Sequence, residues 1–254
     1  MNRNLLKLLL PAAIILIWEA VALYLNNPFV LPDLRAVLSV LSSPTTDIMG
    51  SGSLLDNGKM SLFRVTLGFF IASCLAIPLG LAMGRWEAAR DIAGGLLSAV
   101  RPIPPLAWVP LAMAWFKIGL ASMSFIIAFG AFFPVLLSTL AGVRSVKQSW
   151  LEAVSMMGAG ELNLIRKVIL PGSAPEIWTG MRVGFGIAWM CVVAAEMLPG
   201  TSSGLGYLIM YSYGWGQTQI VVAGMVAIGI IGILIDQLFL IVERRWFSWR
   251  ANDR

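Results

Sequence analysis

Apolar runs long enough to cross a bilayer fill most of this chain and leave it one kind of fold. Six stand out: Leu5–Leu25, Leu62–Met83, Ile103–Phe116, Ser122–Ala141, Gly180–Leu198 and Ile220–Val242. A helix of about 20 apolar residues spans a ~30 Å hydrocarbon core. The third run is short and rich in proline, and we expect it to draw on Ile92–Val100. With 58% hydrophobic and 12% charged residues, the chain lies far from the roughly 25% charge of soluble domains. No run alternates polar and apolar residues as barrel strands do, so helices are the spanning structure. The expected fold class is all-α integral membrane, with about six transmembrane helices in a single domain over residues 1–254.

Lys and Arg fix the expected orientation. With the N-terminus in the cytoplasm, the inside segments hold Arg3, Lys7, Arg85, Arg90, Arg101, Arg144, Lys147, Arg166, Lys167, Arg182, Arg244, Arg245, Arg250 and Arg254. The outside segments hold Arg35, Lys59, Arg64 and Lys117. Fourteen against four puts both termini inside, together with residues 142–179. The net charge of +5 is this topology signal and calls for no nucleic-acid partner.

Several other readings fall away. The first run is longer than a signal-peptide core and is followed by Asn26-Asn27-Pro28 rather than a small-residue cleavage site, so a retained span is expected. Cys74 and Cys191 sit in apolar runs, where free cysteine acts as a small hydrophobe. Residues 51–60 superficially suggest a phosphate loop, but Gly52 to Gly58 is one residue too wide and Met60 replaces the required Ser or Thr. The chain has no histidine, and no acidic pair stands at metal-ligand spacing on a span. A membrane-embedded enzyme therefore has no visible catalytic or metal residues. A scaffold without a pathway would not need the proline-broken third span.

That span opens with Arg101-Pro102-Ile103-Pro104-Pro105-Leu106-Ala107-Trp108-Val109-Pro110. Each proline removes a backbone donor and clashes with the preceding turn, so the helix must break or kink. Farther on, Glu152–Pro171 is a polar interruption between two apolar blocks, carrying Glu152-Ala153-Val154, Gly158 and Val168-Ile169-Leu170-Pro171. A helix over Glu152–Leu164 is expected, with Gly158 taking a positive φ, Pro171 stopping the second piece and Pro175 starting a fresh one. Residues 26–61 form an outside stretch with an expected surface helix at Asp33–Leu41.

The segment resembles the coupling (EAA) loop of ABC importer permeases, in which Glu-Ala-Ala, a Gly six positions after the Glu and a closing Leu-Pro mark the surface that docks on the ATPase. The proline string, the Trp115-Phe116-Lys117-Ile118-Gly119 that ends its span, Leu31-Pro32 and Pro171–Gly180 resemble the nitrate, sulfonate, taurine and bicarbonate group of those permeases. Val154 and Val168 depart from the pattern, both as small apolar swaps. The resemblance implies a type I importer permease fold in a prokaryotic plasma membrane. It further implies a second permease copy, a cytoplasmic ATPase dimer holding ATP and Mg, and an extracytoplasmic solute-binding protein. This chain itself would carry no cofactor and no ATPase activity. Glu152, Ala153, Gly158, Leu170 and Pro171 would form the coupling element. The implied cargo is a small anion, taurine or another sulfonate first, with nitrate, bicarbonate or a pyrimidine precursor as alternatives.

Candidate pathway or gate residues are Arg101, Pro102, Pro104, Pro105, Trp108, Trp189 and Glu196. A charged residue inside a span costs about 2.5–3.5 kcal/mol at the bilayer centre, so Glu19, Glu196 and Asp236 each need an account. For Glu19 and Asp236 an interhelical bond is favoured, Asp236 with an inside Arg. Glu196 stands evenly between a pathway role and a structural one. Trp189 suits a pathway lining and a lipid-facing position equally. The connector Pro199–Gln217, uncharged and rich in Tyr, is read as tight turns with an interfacial aromatic belt.

Overall fold

The computed structural model describes residues 3–247, with side chains from residue 9 onward. Arg250 and Arg254, which entered the charge count, lie outside the described residues, as do the side chains of Arg3 and Lys7. In chain order the helices are α1 (Arg3–Leu25), α2 (Leu34–Ser42), α3 (Leu54–Arg85), α4 (Glu87–Val100), α5 (Val109–Phe116), α6 (Leu120–Ser145), α7 (Gln148–Met156), α8 (Glu161–Leu164), α9 (Leu170–Glu196), α10 (Leu205–Gly214) and α11 (Thr218–Trp246). Among the described residues the structure has no strand beyond an isolated bridge between Asp47 and Ser53. Four helices are long and apolar enough to cross a membrane, namely α3, α6, Glu161–Glu196 and α11. The broken pair Glu87–Val100 and Pro105–Phe116, bent by 87°, makes a fifth where its two pieces count as one span. With α1, whose described apolar part is Leu9–Leu25, the expected six is an approximate count.

The chain divides into two compact units, one of Met1–Ser61 with Glu196–Ile231 and the other of Leu62–Ala195 with Gly232–Arg254. In the first, α1 is tied to the loop and short helix that follow it. Trp18 Nε1 donates to the Pro32 carbonyl at 3.0 Å, and Glu19 accepts the Leu34 N–H at 3.0 Å. Asp33, the residue at the N-cap of α2, makes no side-chain capping bond. Glu19 does that work instead, which explains an acid in an apolar helix. The expected surface helix is therefore present, shifted by one residue. Residues 51–60 open α3: Ser53 Oγ accepts the Asp56 N–H at 3.1 Å and donates to Asp56 Oδ2 at 2.6 Å, a capping box in place of a phosphate loop. The connector Pro199–Gln217 holds more than turns. It contains α10, on which Tyr207 and Tyr211 stack one helical turn apart at 5.6 Å.

In the second unit α6 is the central helix. Ile127, Ala131, Val135 and Leu136 on it are fully enclosed. A Cβ added at Gly80 of α3 would stand 2.7 Å from Thr139 Cβ, and one at Gly180 of α9 would overlap Ser138. Between helices in lipid, such close approach supplies the attraction that water would otherwise drive. The expectation for Pro171 and Pro175 is corrected here. Neither ends or begins a helix, because the backbone is helical from Glu161 to Glu196. A five-residue π turn, Ile165–Ile169, precedes Pro171, with the Leu170 N–H bonded to the Ile165 carbonyl. The wider turn takes up the backbone mismatch that proline imposes, so the helix continues through it.

Candidate functional site

Residues 142–179 leave α6, turn back and rejoin the next span. The first helix of this segment, α7, begins at Gln148, four residues before the expected start, and ends at Met156, and the helical stretch expected over Glu152–Leu164 is two pieces that meet at the glycine, as its positive φ implied. Gly158 separates them at φ +78°. Its N–H bonds to the Ser155 carbonyl at 3.0 Å, and the Ala159 N–H reaches the Val154 carbonyl at 3.4 Å. Those two bonds make a Schellman cap, which needs a left-handed residue at that place. No atom stands within 4 Å of a Cβ built on Gly158, so backbone conformation and not crowding demands the glycine. The spacing from Glu152 to Gly158 is thus the length of the last turns of α7 plus its cap.

The two faces of the segment differ. Leu151 and Val154 of α7 pack with Leu164, Ile165, Val168 and Ile169 against Val143 of α6 and Leu81 of α3. Val154 and Val168, the two departures from the family pattern, both lie on this inner face. Arg85, the last residue of α3, grips Glu161 with paired bonds of 2.6 and 3.0 Å. The segment is therefore fastened to the ends of two spans by apolar packing and a two-pronged ion pair. Its outer face carries exposed Glu152, Ala153 and Gly158, with Met156 83% and Met157 75% exposed. Leu162 joins them. Gln148 Nε2 donates to Glu152 at 3.2 Å, one turn along α7. Leu170 and Pro171 are exposed at the head of α9. The two methionines escaped the sequence reading because apolar residues beside a glycine look like core until exposure is known.

The pathway candidates are dispersed. Arg101 and Pro102 line one pocket of about 430 Å³ beneath the proline elbow. Pro104 holds an extended conformation (φ −58°, ψ 140°), and Pro105–Trp108 form a 3₁₀ turn before α5. Trp108 packs on Phe129 and Phe125, with ring centroids 5.0 and 6.4 Å away, rather than on Arg101. Trp189 is buried and borders a small pocket of about 50 Å³ with Arg182 and Asp236. Asp236 receives both prongs of the Arg182 guanidinium at 2.6 and 2.9 Å, the expected pairing with an Arg.

Glu196 belongs to the other unit and is completely buried. It accepts Ser61 Oγ at 2.7 Å and the Gly206 N–H at 3.1 Å, at the start of α10. Asn57 Oδ1 accepts the Gly204 N–H at 2.7 Å beside it. A side chain on Gly204 (φ +109°) would overlap the carboxylate. A carboxylate at a helix N-terminus satisfies orphan donors and meets the positive end of the helix dipole.

A family model described as binding-protein-dependent transport system inner membrane component matches residues 76–248. The chain belongs to this family. A Methanocaldococcus jannaschii protein named as an ABC transporter permease is 50% identical to this permease over 245 residues, 96% of this chain and 92% of the relative. The taurine transport system permease protein TauC of Escherichia coli is 37% identical, over 95% of this chain and 88% of its own. A Bacillus subtilis protein named as the aliphatic sulfonates transport permease SsuC is 34% identical, over 96% and 87%. The crystal structure of an amino acid ABC transporter shares the fold, with a TM-score of 0.63 over 75% of this permease and 92% of that chain at 16% identity. The permease is thus a multi-pass inner-membrane transport subunit.

Proposed function

We propose that this permease forms the translocation path of an ATP-driven importer for a small oxyanion, taurine or another sulfonate. An extracytoplasmic binding protein delivers the cargo. Two copies of the chain enclose the path, and a cytoplasmic ATPase dimer, holding ATP and Mg, docks on Glu152–Pro171. Both termini then face the cytoplasm, as the Lys and Arg distribution favours. The observation that carries the reading is the asymmetry of residues 148–164: an exposed, methionine-tipped outer face on a body fastened to α3 and α6. Apolar side chains held in water on a rigid base suit a partner groove, since covering them gains roughly 25 cal/mol per Å².

The mechanism is mechanical. Closure of the ATPase dimer displaces α7, and its inner packing with the Arg85–Glu161 pair passes the displacement to the ends of α3 and α6. Such coupling requires the partner to bind one conformation of the permease more tightly than the other. The names of the taurine and sulfonate relatives support the cargo. Proteoliposomes holding the permease, its ATPase and its binding protein test it. ATP-dependent taurine uptake that is lost on Glu152→Lys is expected. Uptake of nitrate with none of any sulfonate would overturn the cargo, and uptake unchanged by Glu152→Lys would remove that residue from the docking surface.

A further inference from the structure

Trp150 of α7 stands outside the inner cluster and is half exposed. Met157, 75% exposed, follows it by two helical turns, so both lie on one face about 10 Å apart. Lys147 sets its ammonium 5.3 Å from the centre of the Trp150 ring, a cation–π contact. On the second piece of the segment Leu162 is exposed, and exposed Arg166 and Lys167 follow it about one turn on. Lys147, Arg166 and Lys167 make no ion pair among the described residues. Of the acids beside them, Glu161 is held by Arg85, and Glu152 is bonded to the neutral Gln148. The surface therefore sets three unpaired cations and one carboxylate around an apolar centre.

An apolar centre edged with charge is the anatomy of a protein interface, in which tryptophan is a favoured anchor. Two other occupants fit less well. Glu152 stands one turn from Met156, so sinking the methionines into lipid would carry a carboxylate into hydrocarbon. A second copy would bring the same three cations of both chains into one two-fold contact.

We infer that the ATPase surface receiving this segment is an apolar pocket for Trp150 and Met157, edged by carboxylates opposite Lys147, Arg166 and Lys167. The inference rests on the docking reading given above and adds the chemistry of the partner. The carboxylates draw the two proteins together, and the pocket holds them once they have met. Charge at an edge governs the association rate, whereas a buried anchor governs dissociation. Glu152, the single acid on the face, calls for one cation on the partner and so sets the register.

Interferometry of the purified ATPase on full-length permease, held in phosphatidylcholine nanodiscs, separates the two contributions. Raising salt from about 0.01 M to about 1 M shortens the screening length from ~30 Å to ~3 Å. The association rate should then fall at least about tenfold. Lys147→Gln with Arg166→Gln and Lys167→Gln should lower the low-salt association rate about tenfold and flatten its salt dependence. Trp150→Ala should instead speed dissociation roughly 25-fold. A carbodiimide, which condenses lysine amines with carboxylates, should link Lys147 or Lys167 to Asp or Glu of the ATPase. Capture that is indifferent to salt and to the triple substitution overturns the inference and leaves the docking reading standing. Dissociation unchanged by Trp150→Ala removes the pocket. An effect of the three cations seen only in phosphatidylglycerol nanodiscs also overturns the inference and assigns them to the membrane. Wild type that captures no ATPase overturns the docking reading and the inference together.

Discussion

Gly158 and Asp236 show how single positions hold this permease together. At Gly158 the backbone stands at φ +78° in open space, so a methyl group meets nothing yet still costs about 1–2 kcal/mol of left-handed strain. Gly158→Ala should lower stability by that amount and blur the end of α7, as hydrogen exchange of Gly158 and Ala159 would register. Exchange unchanged from wild type would mean the Schellman cap is dispensable. Asp236 neutralises Arg182 between α11 and α9. Asp236→Asn removes that pair, whose partial exposure limits the cost to about 1 kcal/mol. Arg182→Met with Asp236→Leu should recover most of the loss in thermal unfolding in detergent. A single variant as stable as wild type would refute the pairing role. Glu196 behaves differently from both, since its carboxylate caps α10. Glu196→Ala should cost about 1–3 kcal/mol by stranding buried donors.

At the scale of elements, the Arg85–Glu161 clamp separates docking from transmission. Both side chains are partly exposed, so the pair adds at most about 1 kcal/mol to stability. Its proposed role is to pass motion from α8 to α3. Glu161→Arg should leave ATPase capture intact while lowering transport. Arg85→Glu with Glu161→Arg should restore transport, and no restoration would argue against the clamp. The sequence made the spans, the proline break and the glycine cap legible, because hydropathy, missing donors and left-handed backbone are local properties. It misjudged Pro171 and Pro175, because the π turn upstream of them lets the helix run on. It left Glu196 undecided, since its partners Ser61 and Gly206 are distant in sequence or hidden in a connector that had no helical signal. Arg101, Trp108 and Trp189 were legible as unusual residues, but their separation into different surroundings was not.

Over the whole molecule, the central claim is that residues 148–164 form a fastened body with an outer face built for an ATPase. Membership of the family supports a transport subunit, and the exposed methionines mark the place where we propose that it receives force. The most direct measurement is capture of the ATPase by immobilised full-length permease, comparing wild type with Met156→Asp plus Met157→Asp. Both side chains project from the inner cluster, so the double variant should keep the unfolding temperature of the wild type. The account predicts capture reduced by at least about tenfold, since desolvating even one misplaced charge costs more than 1.4 kcal/mol. Wild-type capture by a properly folded double variant would contradict it.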